Sequence, residues 1–179
     1  MNRTRIMQLA TAAISALLAG CATHPPVQTA RHVDLERYAG RWYEIARFPV
    51  FFERGLVGVT AQYALESDGR VRVTNQGFKG AFDGEIASIT GYAKVVDPAT
   101  NAKLRVRFDP FPVRFFPAPY WVVEVGDDYE YAVVTNPKRK VLWILGRAPT
   151  MDEDTYQAIV ARLDAQGFAT ERLERTLQQ

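Results

Sequence analysis

Val59-Thr60-Ala61-Gln62-Tyr63-Ala64-Leu65 places Val59, Ala61, Tyr63 and Leu65 on one side of the chain and Thr60, Gln62 and Ala64 on the other. Successive side chains of an extended chain point to opposite faces, so this is the pattern of a strand with one dry and one wet face. The same period recurs downstream. Ile89, Gly91, Ala93 and Val95 oppose Thr90, Tyr92 and Lys94, and Leu104, Val106 and Phe108 oppose Arg105 and Arg107. Eight short runs rich in Val, Ile, Tyr, Phe and Thr read as strands: Trp42 to Phe48, Val59 to Leu65, Arg70 to Gln76, Ile86 to Val95, Lys103 to Phe108, Tyr120 to Val125, Tyr129 to Thr135 and Val141 to Arg147. Asp68-Gly69, Asp83-Gly84, Asp97-Pro98, Asp127-Asp128 and Asn136-Pro137 separate them with residues that accept turn geometry cheaply. The expected fold is all-β, an eight-stranded up-and-down antiparallel barrel. Eight strands enclose a space that side chains fill or that one small ligand occupies, and composition leaves both open.

Beyond the last strand, Thr150-Met151-Asp152-Glu153 has the spacing of a capping box, which predicts a helix starting there. Tyr156, Ile159, Val160 and Leu163 then fall on one helical face, and Gly167 is placed to end the helix. One amphipathic C-terminal helix is expected to flank the barrel.

Ahead of the strands, Arg3 and Arg5 precede an apolar run from Ile6 to Leu18, the pattern of a secretory leader. The run is shorter than the ~20 apolar residues a membrane-crossing helix needs. It ends in Leu18-Ala19-Gly20-Cys21, which resembles the bacterial lipobox, whose cysteine is acylated and becomes the first mature residue. Residues 1–20 thus read as a leader, 21–31 as a lipidated tether and 32–179 as one domain of ordinary size. Ala22 after the cysteine resembles a sorting signal for the outer membrane, with the domain on its periplasmic face.

Lys and Arg number 22 against 20 Asp and Glu, and loss of Arg3 and Arg5 leaves 20 against 20. That balance gives no reason to expect nucleic acid, and Lys138-Arg139-Lys140 reads as a solvated turn. Cys21 is the only cysteine, so neither a disulfide within the chain nor a thiol inside the barrel is available. His24 and His32 lack partners at metal-ligand spacing, and neither metal nor cofactor is expected. Ser15, Ser67 and Ser88 are the only serines, none in a Gly-x-Ser-x-Gly setting.

Three segments, in order, resemble the lipocalin signatures. They are Gly40-Arg41-Trp42-Tyr43-Glu44-Ile45-Ala46-Arg47-Phe48, Asp128-Tyr129-x-Tyr131-Ala132-Val133-Val134, and Leu142-Trp143-Ile144-Leu145-Gly146-Arg147-Ala148-Pro149. With Phe52-Glu53-Arg54-Gly55 and Ala118-Pro119-Tyr120-Trp121, the chain is most like the bacterial and apolipoprotein D-like subgroup. The resemblance implies a cup for fatty acids, lysophospholipids or other apolar small molecules. It makes Gly40, Trp42, Tyr43 and Arg147 structural, with Arg147 lying across the indole of Trp42 at the barrel floor.

Strand parity together with the resemblance points to Tyr63, Asn75, Phe108 and Trp143 as pocket wall, with Trp121, Val106 and Ala93 next. Parity with Trp42 sets Glu44 on the inner face, where a carboxylate needs water, a hydroxyl or a cationic head group. The expected function is lipid binding, storage or transport without catalysis, possessing a membrane attachment through Cys21 and serving cell envelope maintenance. A lipid-modifying enzyme, with Glu44 and Tyr63 as its only candidate reactive groups, and a structural lipoprotein with a filled barrel are the alternatives. A homodimer is left open.

Overall fold

β-branched and aromatic residues in strict alternation favour the pleated, half-buried strand, and the chain uses them for eight in succession. The computed structural model describes residues 25–179; the expected leader and Cys21 lie outside the described residues. The strands are β1 (Gly40–Arg47), β2 (Leu56–Leu65), β3 (Val71–Lys79), β4 (Ile86–Val95), β5 (Lys103–Phe108), β6 (Ala118–Val125), β7 (Tyr131–Thr135) and β8 (Leu142–Gly146). Each pairs antiparallel with the next, and β1 pairs with both β8 and β2, so the sheet closes. The expected eight-stranded barrel is therefore the fold.

Two cores follow from the alternation. Trp42, Tyr63, Val73, Ala93, Val106 and Val134 point into the barrel, whereas Ile45, Val133, Leu142 and Ile144 point out and meet the helix. That helix, α2 (Glu153–Ala165, after the single turn α1, Leu35–Tyr38), buries Tyr156, Ile159 and Leu163 against the barrel wall, with Val160 alongside. Asp152, rather than Thr150, caps it: the Asp152 carboxylate accepts from the Thr155 amide at 2.9 Å. An Asp two residues on is as good a cap as Thr, so the capping-box spacing misplaces the helix start by one short step. At the other end Gly167, at φ +77°, donates to Asp164 while Phe168 donates to Leu163. That left-handed turn satisfies the last carbonyls and is open to glycine without strain.

The β1–β2 ladder holds only from Gly40↔Tyr63 to Tyr43↔Thr60. Beyond it both strands bulge, β1 between Glu44 and Ala46 and β2 between Val57 and Thr60. The C-terminal tail fills the gap. β9 (Glu174–Arg175) pairs with Ala46 and Arg47, the Thr176 amide donates to Ile45, and Gly58 donates to the carbonyl of Leu177. Gln178 donates from one side-chain nitrogen to the carbonyls of Glu44 and Val59, tying the two strands together.

Candidate ligand site

The barrel is shut at one end. The Arg147 guanidinium lies 3.8 Å from the centre of the Trp42 ring and donates to the carbonyls of Arg37, Arg41 and Tyr129. Trp42, with no exposed surface, donates from its indole nitrogen to the Tyr38 carbonyl at 2.8 Å. Gly40 runs beneath this pair at φ +100°, and a Cβ there would stand 3.1 Å from an Arg147 nitrogen. α1 completes the floor, started by Asp34, whose carboxylate accepts from the amides of Glu36 and Arg37.

Above the floor sits a layer of three tyrosines. Tyr38 and Tyr63 stack with ring centres 5.6 Å apart, and their hydroxyls meet that of Tyr120 at 2.8 and 3.0 Å. Burial pushes the Tyr63 phenol up to about 12 and those of Tyr38 and Tyr120 well above their ordinary value, so all three stay neutral. Around them Val71, Val73, Ala93, Leu104, Val106 and Val122 enclose an apolar cavity of about 20 Å³. That volume suffices for one water molecule and not for an acyl chain. A ligand longer than a few atoms must displace side chains toward the mouth.

Toward the open end the interior turns polar. Arg47 reaches Glu44 at 3.0 Å, the Thr176 hydroxyl at 3.0 Å and Glu53 at 3.6 Å, and Trp143 donates to the Glu53 carboxylate at 3.1 Å. All three charged residues are less than 9% exposed. Two carboxyls face one guanidinium. Burial, and then the charge of Glu44, lifts Glu53 from the ordinary 4.5 to about 7, while burial raises Glu44 despite its bonds to Thr176 and Arg47. The cluster thus keeps a proton into the neutral range.

Of the residues singled out from sequence, the structure brings Tyr63, Ala93 and Val106 to the cavity wall, with Phe108 and Trp143 half-buried against the same core. Asn75 stands between Ala61 and Ile89 in the ladder and shares their inward face; its Oδ1 is buried without a partner. Glu44 points inward, as parity with Trp42 requires, but is engaged by Arg47 and Thr176. Tyr43 lies outside, half-buried beside the helix-side core.

Trp121 is a correction. It pairs with Lys103, whose ammonium lies 5.0 Å from its ring, and packs on the outer core with α2. Its neighbour Tyr120, opposite the inward Leu104, takes the interior place instead. Counting outward-facing Lys103 and inward-facing Leu104 across the β5–β6 pair would have shown this. Arg47, Glu53 and Thr176 also escaped the sequence reading. Plain alternation from Trp42 sends Arg47 outward, and only the bulge after Glu44 turns it in.

Among the described residues no group of three His, Cys, Asp or Glu side chains is placed to hold a metal ion. What the geometry provides is a container. A closed antiparallel barrel, capped by an arginine on a tryptophan, apolar in its depth and polar below its mouth, defines a small-molecule-binding barrel.

The Lipocalin-like domain family matches residues 33–178, and the chain belongs to the lipocalin family. It is 37% identical to the outer membrane lipoprotein Blc of Escherichia coli K12 over 169 residues, 92% of each chain. It is 34% identical to apolipoprotein D of Mus musculus, covering 88% of this chain and 82% of that one. Insecticyanin from the tobacco hornworm Manduca sexta superposes with a TM-score of 0.67 at 20% identity, over 87% of this chain and 86% of that one.

Proposed function

We propose that this lipocalin binds an amphiphilic lipid, a fatty acid or lysophospholipid, in its barrel, and is held at the outer membrane by acyl chains on Cys21, facing the periplasm. It carries or stores its ligand and catalyses nothing. The observation that carries the reading is the unpartnered Asn75 Oδ1 on the inner face of a barrel that is apolar in its depth and closed at one end only. A buried carbonyl oxygen without a donor is unfavourable by about 1–3 kcal/mol, and a ligand hydroxyl or protonated carboxyl relieves it. Each methylene buried above the tyrosine layer contributes roughly 0.8 kcal/mol, so a dozen outweigh the ordering cost of binding.

The similarity to Blc, an outer membrane lipoprotein by name, supports the anchor and location, as does the lipobox-like Leu18-Ala19-Gly20-Cys21. Glu44 and Tyr63 are the inward groups a lipid-modifying reaction would need, and both are already engaged, by Arg47 with Thr176 and by Tyr120. The test is displacement of a fluorescent fatty acid by lysophosphatidic acid or palmitate, with mass spectrometry of co-purifying lipid. Saturable displacement that weakens in Asn75→Ala is expected. No binding at all would leave a barrel filled by its own side chains.

A further inference from the structure

Five phenylalanines stand in water at the open end of the barrel. Phe51 and Phe52 lie on the β1–β2 loop and Phe111, Phe115 and Phe116 on the β5–β6 loop, between 57 and 84% exposed. They belong to neither core; Phe51 meets Phe52 and Phe111 meets Phe115 edge to face. Single exposed apolar residues need no account, but five rings on two loops of one face mark an interaction surface.

In strand order the β7–β8 loop lies between those two, and it carries Lys138, Arg139 and Lys140. Arg54 and Arg114 add two cations beside the phenylalanines. Against these five cations the four loops of the open end hold Glu53, Asp83, Glu85 and Asp109, whereas the three strand-connecting turns of the closed end hold Glu66, Asp68, Asp97, Asp127, Asp128 and Glu130 against Arg70 alone. Aromatic rings interleaved with cations fit an interface that is apolar beneath and anionic on top. A second copy would present the same cations to its own and is disfavoured.

The chain also enters the domain at this end. Arg139 donates to the Pro25 carbonyl at 2.7 Å, which fixes residue 25 at the β7–β8 loop. Cys21 precedes it by four residues, a reach of about 14 Å at most. The closed end lies a further strand length away, about 17 Å along the five residues of β7.

We propose that the open end of the barrel docks on the anionic bilayer that holds the Cys21 anchor, with the five phenylalanines in the headgroup layer and the β7–β8 cations against lipid phosphates. The mouth of the cup then opens onto lipid rather than water. This rests on the acyl anchor proposed above. Apolar rings on a surface that lies against a bilayer bury at the boundary of headgroups and acyl chains, and cations near an anionic leaflet add attraction, so anchor, rings and charges act on one face. The β3–β4 loop at the same end carries Asp83 and Glu85, and Glu85 is paired with Lys79 at 2.9 Å.

The test uses the acylated mature protein in phosphatidylethanolamine–phosphatidylglycerol vesicles. An environment-sensitive fluorophore is attached to Phe52→Cys at the mouth or Ser67→Cys at the closed end; the sulfur of Cys21 is blocked by its lipid. Nitroxide-bearing lipid is expected to quench the label at 52 severalfold more than that at 67. The combined F111E, F115E and F116E variant should float with vesicles and unfold at the wild-type temperature, because those rings touch neither core, yet lose most of the quenching at 52. Equal quenching at both sites, or unchanged quenching in the triple variant, overturns the docking while leaving the anchor standing. Failure of the unlabelled protein to float overturns the anchor reading and the proposal with it. Shielding of the label at 52 in a species of doubled mass without vesicles assigns the face to a second copy and overturns the proposal as well.

Discussion

Arg147 lies flat on the indole of Trp42, and the two act as one part: the guanidinium covers the ring and bonds three carbonyls, one each from α1, the ring's own strand and the β6–β7 turn. Trp42→Ala is expected to destabilise by about 3–5 kcal/mol, the range for a buried aromatic, and Arg147→Ala by less. Because both remove the same contact, the double variant should fall short of the sum by about 0.5–2 kcal/mol in urea unfolding. A simple sum would mean the contact contributes nothing. At the other end, Glu53 has a pH signature. Its folded value lies above the unfolded one, so the native state keeps a proton the unfolded chain releases. That stability is complete below about 4.5 and is lost as pH rises toward about 7. Urea midpoints of the wild type should therefore fall across this window relative to those of Glu53→Gln, which has nothing to release. Trp42, Arg147 and Gly40 were legible because a signature of unusual residue types names them. Arg47 and Glu53 were not, since their inward turn depends on a bulge and a loop that leave no period in the sequence.

At the level of elements, the strands were legible to within three residues at most ends, because each alternates against water on one side and a core on the other. β9 was not: two residues carry no period, and Glu174 and Arg175 are both exposed. Its work is done by the residues after it. The Thr176 hydroxyl accepts from Arg47 at 3.0 Å and donates to Glu44, so it links the charged cluster to the tail that closes the β1–β2 gap. Thr176→Val keeps the shape and removes both bonds, leaving two buried charged groups one partner short. A loss of about 1–3 kcal/mol is expected, and Thr176→Ser should restore most of it. If valine and serine unfold alike, the tail is held by its β9 pairing, its backbone bonds to Ile45 and Gly58 and the Gln178 side chain, and the Thr176 hydroxyl contributes nothing.

For the whole molecule, the division between a stable frame and an adaptable interior decides what a binding protein of this size can do. The floor, the outer core and α2 are packed shut, the cavity among the tyrosines is about 20 Å³, and the inner wall toward the mouth is half-buried. Ligand and fold should thus respond differently to one change at the mouth. Phe108 closes β5 on the inner face, opposite Gly91, where the backbones approach so closely that a Cβ on residue 91 would meet Phe108 Cα at 2.8 Å. Phe108→Arg puts a long cation where an acyl chain must pass. Its stem can follow the wall and its head can reach water at the mouth, so unfolding should shift by only about 1–2 kcal/mol. Fatty-acid affinity should fall at least tenfold, which is about 1.4 kcal/mol or more of binding. The stabilisation that excess ligand gives, about 2.7 kcal/mol at a hundred times its dissociation constant, should shrink with it. Thermal unfolding with and without palmitate reads both quantities in one experiment. Unchanged stabilisation by palmitate would place the ligand outside the barrel, and collapse of the fold itself would show that Phe108 is core rather than gate.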